Sequence, residues 1–293
     1  MPRLRLPRIT PSMKICSAIA EVRAARADAR ADGKSLGLVP TMGALHEGHL
    51  SLVSAAKAQC DAVAVSIFVN PTQFGPTEDL AKYPRQFDRD CQRLQQEGVD
   101  ILFAPPVEEI YPQGNVTWVL VEGLSDKLDG RSRPGHFRGV TTVVAKLFHI
   151  IEPRRAFFGQ KDAAQLAVIR RMVRDMHFPV EIVACPIVRE ADGLAMSSRN
   201  AYLNEEERAC ASILHRSLER VERDFRGGKR IAAKLISATR ELLVSEPLVR
   251  VDYLEIVDPN SLEPIERISG KALVAIAAYV GATRLIDNVV LDS

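Results

Sequence analysis

Apolar positions along the first two-thirds of the chain alternate between two patterns. Short runs of consecutive apolar residues at 36–39, 62–69, 101–104, 155–158 and 180–183 predict β-strands, and residues 117–121 give a further candidate. The run AVAVSIFV at 62–69 is apolar on both faces, as a central parallel strand must be. Between these runs the spacing turns helical. Residues 49–60 place Leu52, Val53 and Ala56 on one side, and residues 86–97 form a polar helix. Val140, Val143, Val144, Leu147, Ile150 and Ile151 follow one helical stripe that Pro153 ends; Leu166, Ile169, Val173 and Met176 follow another. Alternating strands and helices with short links imply right-handed crossovers and a parallel sheet. In such a sheet the ligand lies outside the carboxyl ends of the strands, at the switch in strand order.

The pattern changes after Val188. Asn204 with Glu207 makes a capping box, which opens a helix expected to reach about Phe225 and to stop at Gly227-Gly228. A second helix spans 231–245, followed by strands at 251–257, 272–280 and 283–291. The chain therefore reads as an α/β protein, with a parallel-sheet N-terminal domain over 13–187 and a smaller α+β C-terminal domain over 188–293. Residues 1–12 are basic and proline-rich with no apolar stretch behind them. They read as a disordered extension rather than a signal peptide, with Met13 as an alternative start.

Composition narrows the class. Of 293 residues, 46% are apolar and 26% charged, a globular mixture. A formal net charge of +2 argues against a nucleic-acid binder. The five cysteines are odd in number and show no C-x-x-C spacing, which suits a reduced, cytoplasmic protein. No run approaches the ~18 apolar residues of a membrane span.

The chemistry sits in turns that follow strands. In PTMGALHEGHL (40–50), His46 and His49 lie at the start of a helix, where unpaired backbone N–H groups and the positive dipole end favour an anion. The spacing is not the H-E-x-x-H of zinc proteases, and no Walker A loop occurs. After the second strand, Asn70 and Gln73 offer uncharged donors and acceptors able to orient a hydroxy acid. RPGHFRGV (133–140) is a glycine- and proline-rich loop entering a helix, and it either covers or lines a pocket or carries His136 as a surface cap. In FFGQKDAAQ (157–165), Gly159 permits the turn, Lys161 supplies a point charge, and Asp162 either accepts from ribose hydroxyls or caps the helix. Ser197, Ser198 and Arg199 lie between the two domains, in a loop able to close over a triphosphate or simply to face solvent.

Taken together, PTMGALHEGHL, VNPTQF, RPGHF, FFGQKD and VREADGLAMSSRN resemble, in order and spacing, the pantothenate synthetase family. These are the pantoate–β-alanine ligases of coenzyme A biosynthesis, within the H-x-G-H nucleotidyltransferase superfamily. The resemblance runs from about Met13 to the end. It implies a Rossmann-like N-terminal domain with a C-terminal lid, a cytoplasmic homodimer, and no nucleic-acid or membrane partner. It implies condensation of pantoate with β-alanine through pantoyl-adenylate, with ATP as substrate and Mg2+ carried mainly on its phosphates rather than in a protein metal site. Carried over, the ATP-binding residues are Pro40, Thr41, Met42, Gly43, Ala44, Leu45, His46, Glu47, Gly48 and His49, then Gly159, Gln160, Lys161 and Asp162, then Val188, Met196, Ser197, Ser198 and Arg199. Gln73 and Gln165 match the pair that holds pantoate, and Asn70 stands beside them. His49 matches the family's proton donor; His46 and Lys161 join it as catalytic groups. Gln160 replaces a frequent Glu and Ala163 a frequent aromatic, which leaves a side-chain role at 160 open. The alternatives are another H-x-G-H adenylyltransferase, a zinc site at His46, His49 and His136, or a nucleic-acid binder using the basic tail.

Overall fold

In the computed structural model, residues 13–76 and 78–292 are described; the expected N-terminal extension lies outside them. Six parallel strands are β1 (Lys14–Cys16), β2 (Leu36–Thr41), β3 (Ala62–Ile67), β4 (Ile101–Phe103), β5 (Arg155–Gly159) and β6 (Glu181–Cys185). The helices that cross between them are α1 (Ile19–Ala31), α2 (Glu47–Gln59), α3 (Phe87–Gln96), α4 (Val107–Ile110), α5 (Asp129–Ser132), α6 (His136–Ile151) and α7 (Ala163–Asp175). The C-terminal part adds α8 (Glu205–Ala211), α9 (Ile213–Arg226), α10 (Ala232–Val244), β7 (Val249–Val257), β8 (Ala272–Val280) and β9 (Thr283–Leu291). No helix among the described residues is long and apolar enough to cross a membrane.

The parallel sheet has the order β1-β4-β3-β2-β5-β6. From β2 the chain builds outward through β3 and β4, then returns to add β5 and β6 on the other side. The order thus reverses at β2, and a crevice opens at the carboxyl ends of β2, β3 and β5. β3 is buried along Ala62–Ser66, as its two-sided apolar pattern requires. The second sheet is antiparallel, β7-β8-β9. One of its faces, with Leu273, Ala275 and Ala277, joins the apolar cluster of α6 and α7. The opposite face, with Val274, Ile276 and Ala278, packs with Leu214, Leu218 and Leu235 of α9 and α10. β8 is therefore covered on both sides, which explains its unbroken run ALVAIAAYV.

Several expectations need correction. Residues 117–121 form no strand. Their backbone is satisfied by side chains of α6: Val119 N–H donates to Thr142 Oγ1 (3.0 Å), and Val119 O accepts from Thr141 Oγ1 (2.6 Å). The helix after the capping box is real at its start, where Asn204 Oδ1 accepts from Glu207 N–H (2.9 Å) and Glu207 Oε2 from Asn204 N–H (3.0 Å). It is two helices rather than one, interrupted at Ser212, whose hydroxyl donates back to Ala209 O (3.2 Å) and competes with the backbone ladder. The segment read as a loop at 133–140 is helical from His136 onward, with Gly135 in the left-handed region (φ 82°) at its start. The sequence reading passed over β1 and α1 altogether.

Gly139 shows how tightly α6 meets the turn after β3. A Cβ there would lie 2.4 Å from the Thr72 carbonyl oxygen, and Gly139 O accepts from the buried Asn70 Nδ2 (3.1 Å). Gly139→Ala is expected to lower unfolding stability by about 1–3 kcal/mol through overpacking. Urea unfolding checks this; an unchanged midpoint would show that the two backbones separate freely.

Candidate active site

The crevice holds a cavity of about 250 Å³. Pro40, Thr41 and Met42 from the end of β2 line it, with His46, Gly48 and His49 at the start of α2. Ser66, Phe68, Asn70 and Gln73 follow β3, and Phe158, Gly159, Lys161, Asp162 and Gln165 follow β5. Val188, Met196, Ser197, Ser198 and Arg199 complete the wall. Motifs as far apart in sequence as Pro40 and Arg199 thus meet in one space.

The histidine pair has a defined local cause. His46 is the N-cap of α2, and its Nδ1 accepts from Gly48 N–H (3.2 Å). A Cβ on residue 48 would sit 2.9 Å from that ring, so only glycine permits the fold-back. His49 Nδ1 in turn accepts from His46 N–H (3.3 Å), and the ring centroids lie 4.1 Å apart. With both Nδ1 atoms accepting, each neutral ring carries its proton on Nε2. The expected free N–H groups at this helix end are largely committed. Gly48 N–H goes to His46, His49 N–H to His46 O (2.8 Å), and those of Ala44 and Leu45 to the buried Asp90 carboxylate (2.8 and 2.9 Å). The two imidazoles line the cavity at this helix end and are its side-chain donors. Gly43, Ala44 and Leu45 accordingly shape the loop from outside the cavity lining, and Glu47 points to Arg93.

Burial, followed by the neighbouring Lys161, holds His46 down to about 4. Burial, then His46 and Lys161, holds His49 down to about 3. His136 is not a surface cap but is buried and lines the cavity, and burial and Arg133 hold it to about 4. Its Nδ1–H donates to Gln73 O (2.8 Å) and its Nε2 accepts from Arg133 Nη1 (3.0 Å), so it carries the opposite tautomer and braces Gln73. Gln73 is fixed further, its Oε1 accepting from Asn70 Nδ2 (3.1 Å) and its Nε2 lying 3.0 Å from Met42 Sδ. Asn70 is 1% exposed, and its oxygen is taken by Tyr111 and Thr72 hydroxyls. It supports Gln73 and has little capacity left for a ligand.

Asp162 stands at the start of α7 without a side-chain cap bond, leaving its carboxylate available in the cavity. Gln160 does not line the cavity; its Nε2 donates to Asn288 Oδ1 (3.2 Å). Ser198 lies in a short 3-10 turn with its hydroxyl 3.5 Å from that of Tyr83. Arg199 is already paired with Asp79 through Nε (3.2 Å) and Nη2 (3.0 Å), and Arg133 is paired with Glu78 in the same forked way. Burial opposes ionisation of Glu78 and Asp79, yet these guanidinium bonds outweigh it and hold both carboxyls below their ordinary range. The sequence reading missed Tyr83, the apolar wall of Phe68, Val140, Val143, Val144, Leu147 and Phe158, and Ser66, whose buried hydroxyl has no partner among the described residues. A polar residue in the strand run 62–69 was the one available signal for Ser66. Among the described residues no group of three or more His, Cys, Asp or Glu side chains is placed to hold a metal ion, so the zinc reading finds no ligand set.

Comparison with known proteins supplies the chemical context. The sequence profile of the family described as Pantoate-beta-alanine ligase matches residues 14–290. The chain is 61% identical over 290 residues to the pantothenate synthetase of Acidobacterium capsulatum, covering 95% of this chain and 97% of that one. It is 60% identical to that of Koribacter versatilis, covering 96% and 97%. Among solved structures, pantothenate synthetase from Thermus thermophilus superposes with a TM-score of 0.90 at 49% identity, over 94% of this chain and 99% of that one. The pantoate-beta-alanine ligase of Francisella tularensis, solved in complex with beta-gamma ATP and beta-alanine, gives 0.78 at 34% identity, over 95% and 97%.

The electrostatics make a prediction for the ligand-free protein. An unfolded histidine titrates near ~6.5, above all three folded values. The unfolded chain then binds more protons, so these groups lower stability as pH falls through about 6.5, and the loss levels off at about 4 to 3. NMR of the imidazoles should show His46, His49 and His136 neutral at pH 6. A midpoint above about 6 for any of them contradicts the buried, acceptor-bound arrangement.

Proposed function

The chain belongs to the pantoate–β-alanine ligase family, and from that premise we propose that its cavity condenses pantoate with β-alanine, using ATP, in two steps. The observation that carries this reading is the convergence of the imidazole pair, the Lys161 turn, the Ser197–Arg199 segment and the Gln73–Gln165 pair on one cavity. A carboxylate does not react with an amine at neutral pH until its acyl carbon is activated. In the first step the pantoate carboxylate attacks the α-phosphorus of ATP and the bond to pyrophosphate breaks. Charge builds on the departing oxygen, and donors fixed in advance lower that barrier. His46 and His49 present Nε2–H there, and Lys161 adds a full charge. The phosphates oppose the depression of the histidine pKa values, so His49 gains proton-donating capacity once the nucleotide is bound. In the second step the β-alanine nitrogen attacks the acyl carbon, AMP leaves, and the nitrogen loses a proton.

Gln73 and Gln165 hold the oxygens of pantoate, while Val140, Val143, Val144 and Leu147 face its dimethyl carbon. Asp162 accepts from the ribose, the Val188 backbone meets the adenine, and Met196, Ser197, Ser198 and Arg199 close over the phosphates. Asp162, Ser197 and Ser198, which line the cavity, carry oxygen donors of the hard type that Mg2+ takes, and the ion, if carried on the triphosphate, would supply charge neutralisation there. Residues 13–187 act as the binding body and 188–293 as its cover, in a cytoplasmic enzyme. Val116, Trp118 and Leu120, exposed along one extended segment, support a homodimer that sedimentation equilibrium would test.

His49→Ala and Lys161→Ala are each expected to leave a folded protein with at least ~100-fold slower pantoate-dependent exchange of pyrophosphate into ATP. Gln73→Ala should chiefly raise the pantoate concentration required. Wild-type exchange by either of the first two variants removes that residue from the mechanism.

A further inference from the structure

β9 runs between the two turns assigned to the nucleotide, and two adjacent residues on it grip one turn each. On one face, Asn288 Nδ2 donates to the carbonyls of Gln160 (3.0 Å) and Lys161 (2.8 Å), while its Oδ1 accepts from Gln160 Nε2 (3.2 Å). Two carbonyls on one side and an amide on the other fix which end of the Asn288 side chain is nitrogen. On the other face, Asp287 accepts from Arg189 Nη1 (2.7 Å) and Nη2 (3.0 Å), and the same guanidinium donates to Gly193 O (3.0 Å). Arg189 belongs to the hairpin that carries Val188 and Met196, closed by Met196 N–H to Val188 O (3.0 Å). At its tip Gly193 lies so close to His215 of α9 that a Cβ would fall 2.1 Å from the ring. Asp287 and Asn288 are each 3% exposed, and neither lines the cavity.

Successive strand residues point to opposite faces, so this pair spans the thickness of one strand. We propose that Asp287 and Asn288 are positioning residues for the nucleotide. β9 is a spacer that sets the separation between the Lys161 turn, on the phosphate side, and the Val188 hairpin, on the adenine side. This rests on the assignment of ATP to those two turns. Asn288 acts through Lys161: with both carbonyls pinned, the lysine stem leaves a fixed backbone. A displacement of about 1 Å at such a group can cost on the order of 100-fold in rate.

The test is pyrophosphate–ATP exchange in the full chain with Asn288→Ala, Asn288→Asp and, as a control on the same strand, Val289→Ala, each with its urea midpoint. Both Asn288 variants lose the N–H donors and should lower kcat/KM for ATP by at least about tenfold, with the pantoate KM unchanged. Val289→Ala should leave both constants near wild type. In a Lys161→Ala background, Asn288→Ala should add less than about threefold, since the residue it orients is gone. If Asn288→Ala alters exchange no more than Val289→Ala, or raises the pantoate KM as much as the ATP KM, the positioning role is overturned. Normal exchange by Lys161→Ala alone would instead overturn the nucleotide assignment itself, so the two failures are distinguishable.

Discussion

Everything that gathers at the cavity does so because the parallel sheet reverses its order at β2. Adjacent crossovers leave the sheet in opposite directions there, and no helix can cover the gap between them. All parallel strands end on the same edge, so the turns after β2, β3 and β5 are neighbours whatever their distance in sequence. Short apolar strands buried on both faces keep those ends in register, with β2 and β3 paired from Leu36↔Ala62 to Thr41↔Ile67. The C-terminal sheet then seals one side, because β8 buries small apolar side chains against α6 and α7.

Within that frame the histidines of the site are neutral groups held in one orientation. Imidazoles that are half-buried, beside each other and beside a lysine give up their charge, and their backbone partners decide which nitrogen keeps the proton. The same logic with the opposite outcome governs His136, where a carbonyl claims Nδ1–H. The guanidinium groups at the cavity are paired instead, Arg133 with Glu78 and Arg199 with Asp79, and behind the cavity Arg189 is paired with Asp287. The result is an interior whose donors are fixed before any ligand arrives, the condition under which they act most strongly on developing charge.

Much of this was legible in the chain. β8 and β9 match their apolar runs residue for residue, and β2 and β3 are visible because two-sided burial leaves no other reading of LGLV and AVAVSI. The turns that line the cavity could be placed because they follow those strands. What escaped depends on partners far away in sequence. Residues 117–121 look like a strand, but hydroxyls of Thr141 and Thr142 replace the neighbouring strand they would need. Asp90 sits in a polar helix, and nothing local marks it as the acceptor for Ala44 and Leu45. His136 resembles any loop histidine until Gln73 is found beside it. Asn288 is one of four polar residues in β9, and only the fold shows that Gln160 and Lys161 lie opposite.

The forked pairing of Arg199 with Asp79 carries a consequence for turnover. Phosphate oxygens reaching that guanidinium meet a carboxylate already seated on it, so capture is an exchange of one anion for another. An anion that reached Arg199 would have to displace Asp79, and the acid would stand beside its partner when that anion left. A guanidinium wired in this fashion is arranged for exchange between anions and less for holding any one of them.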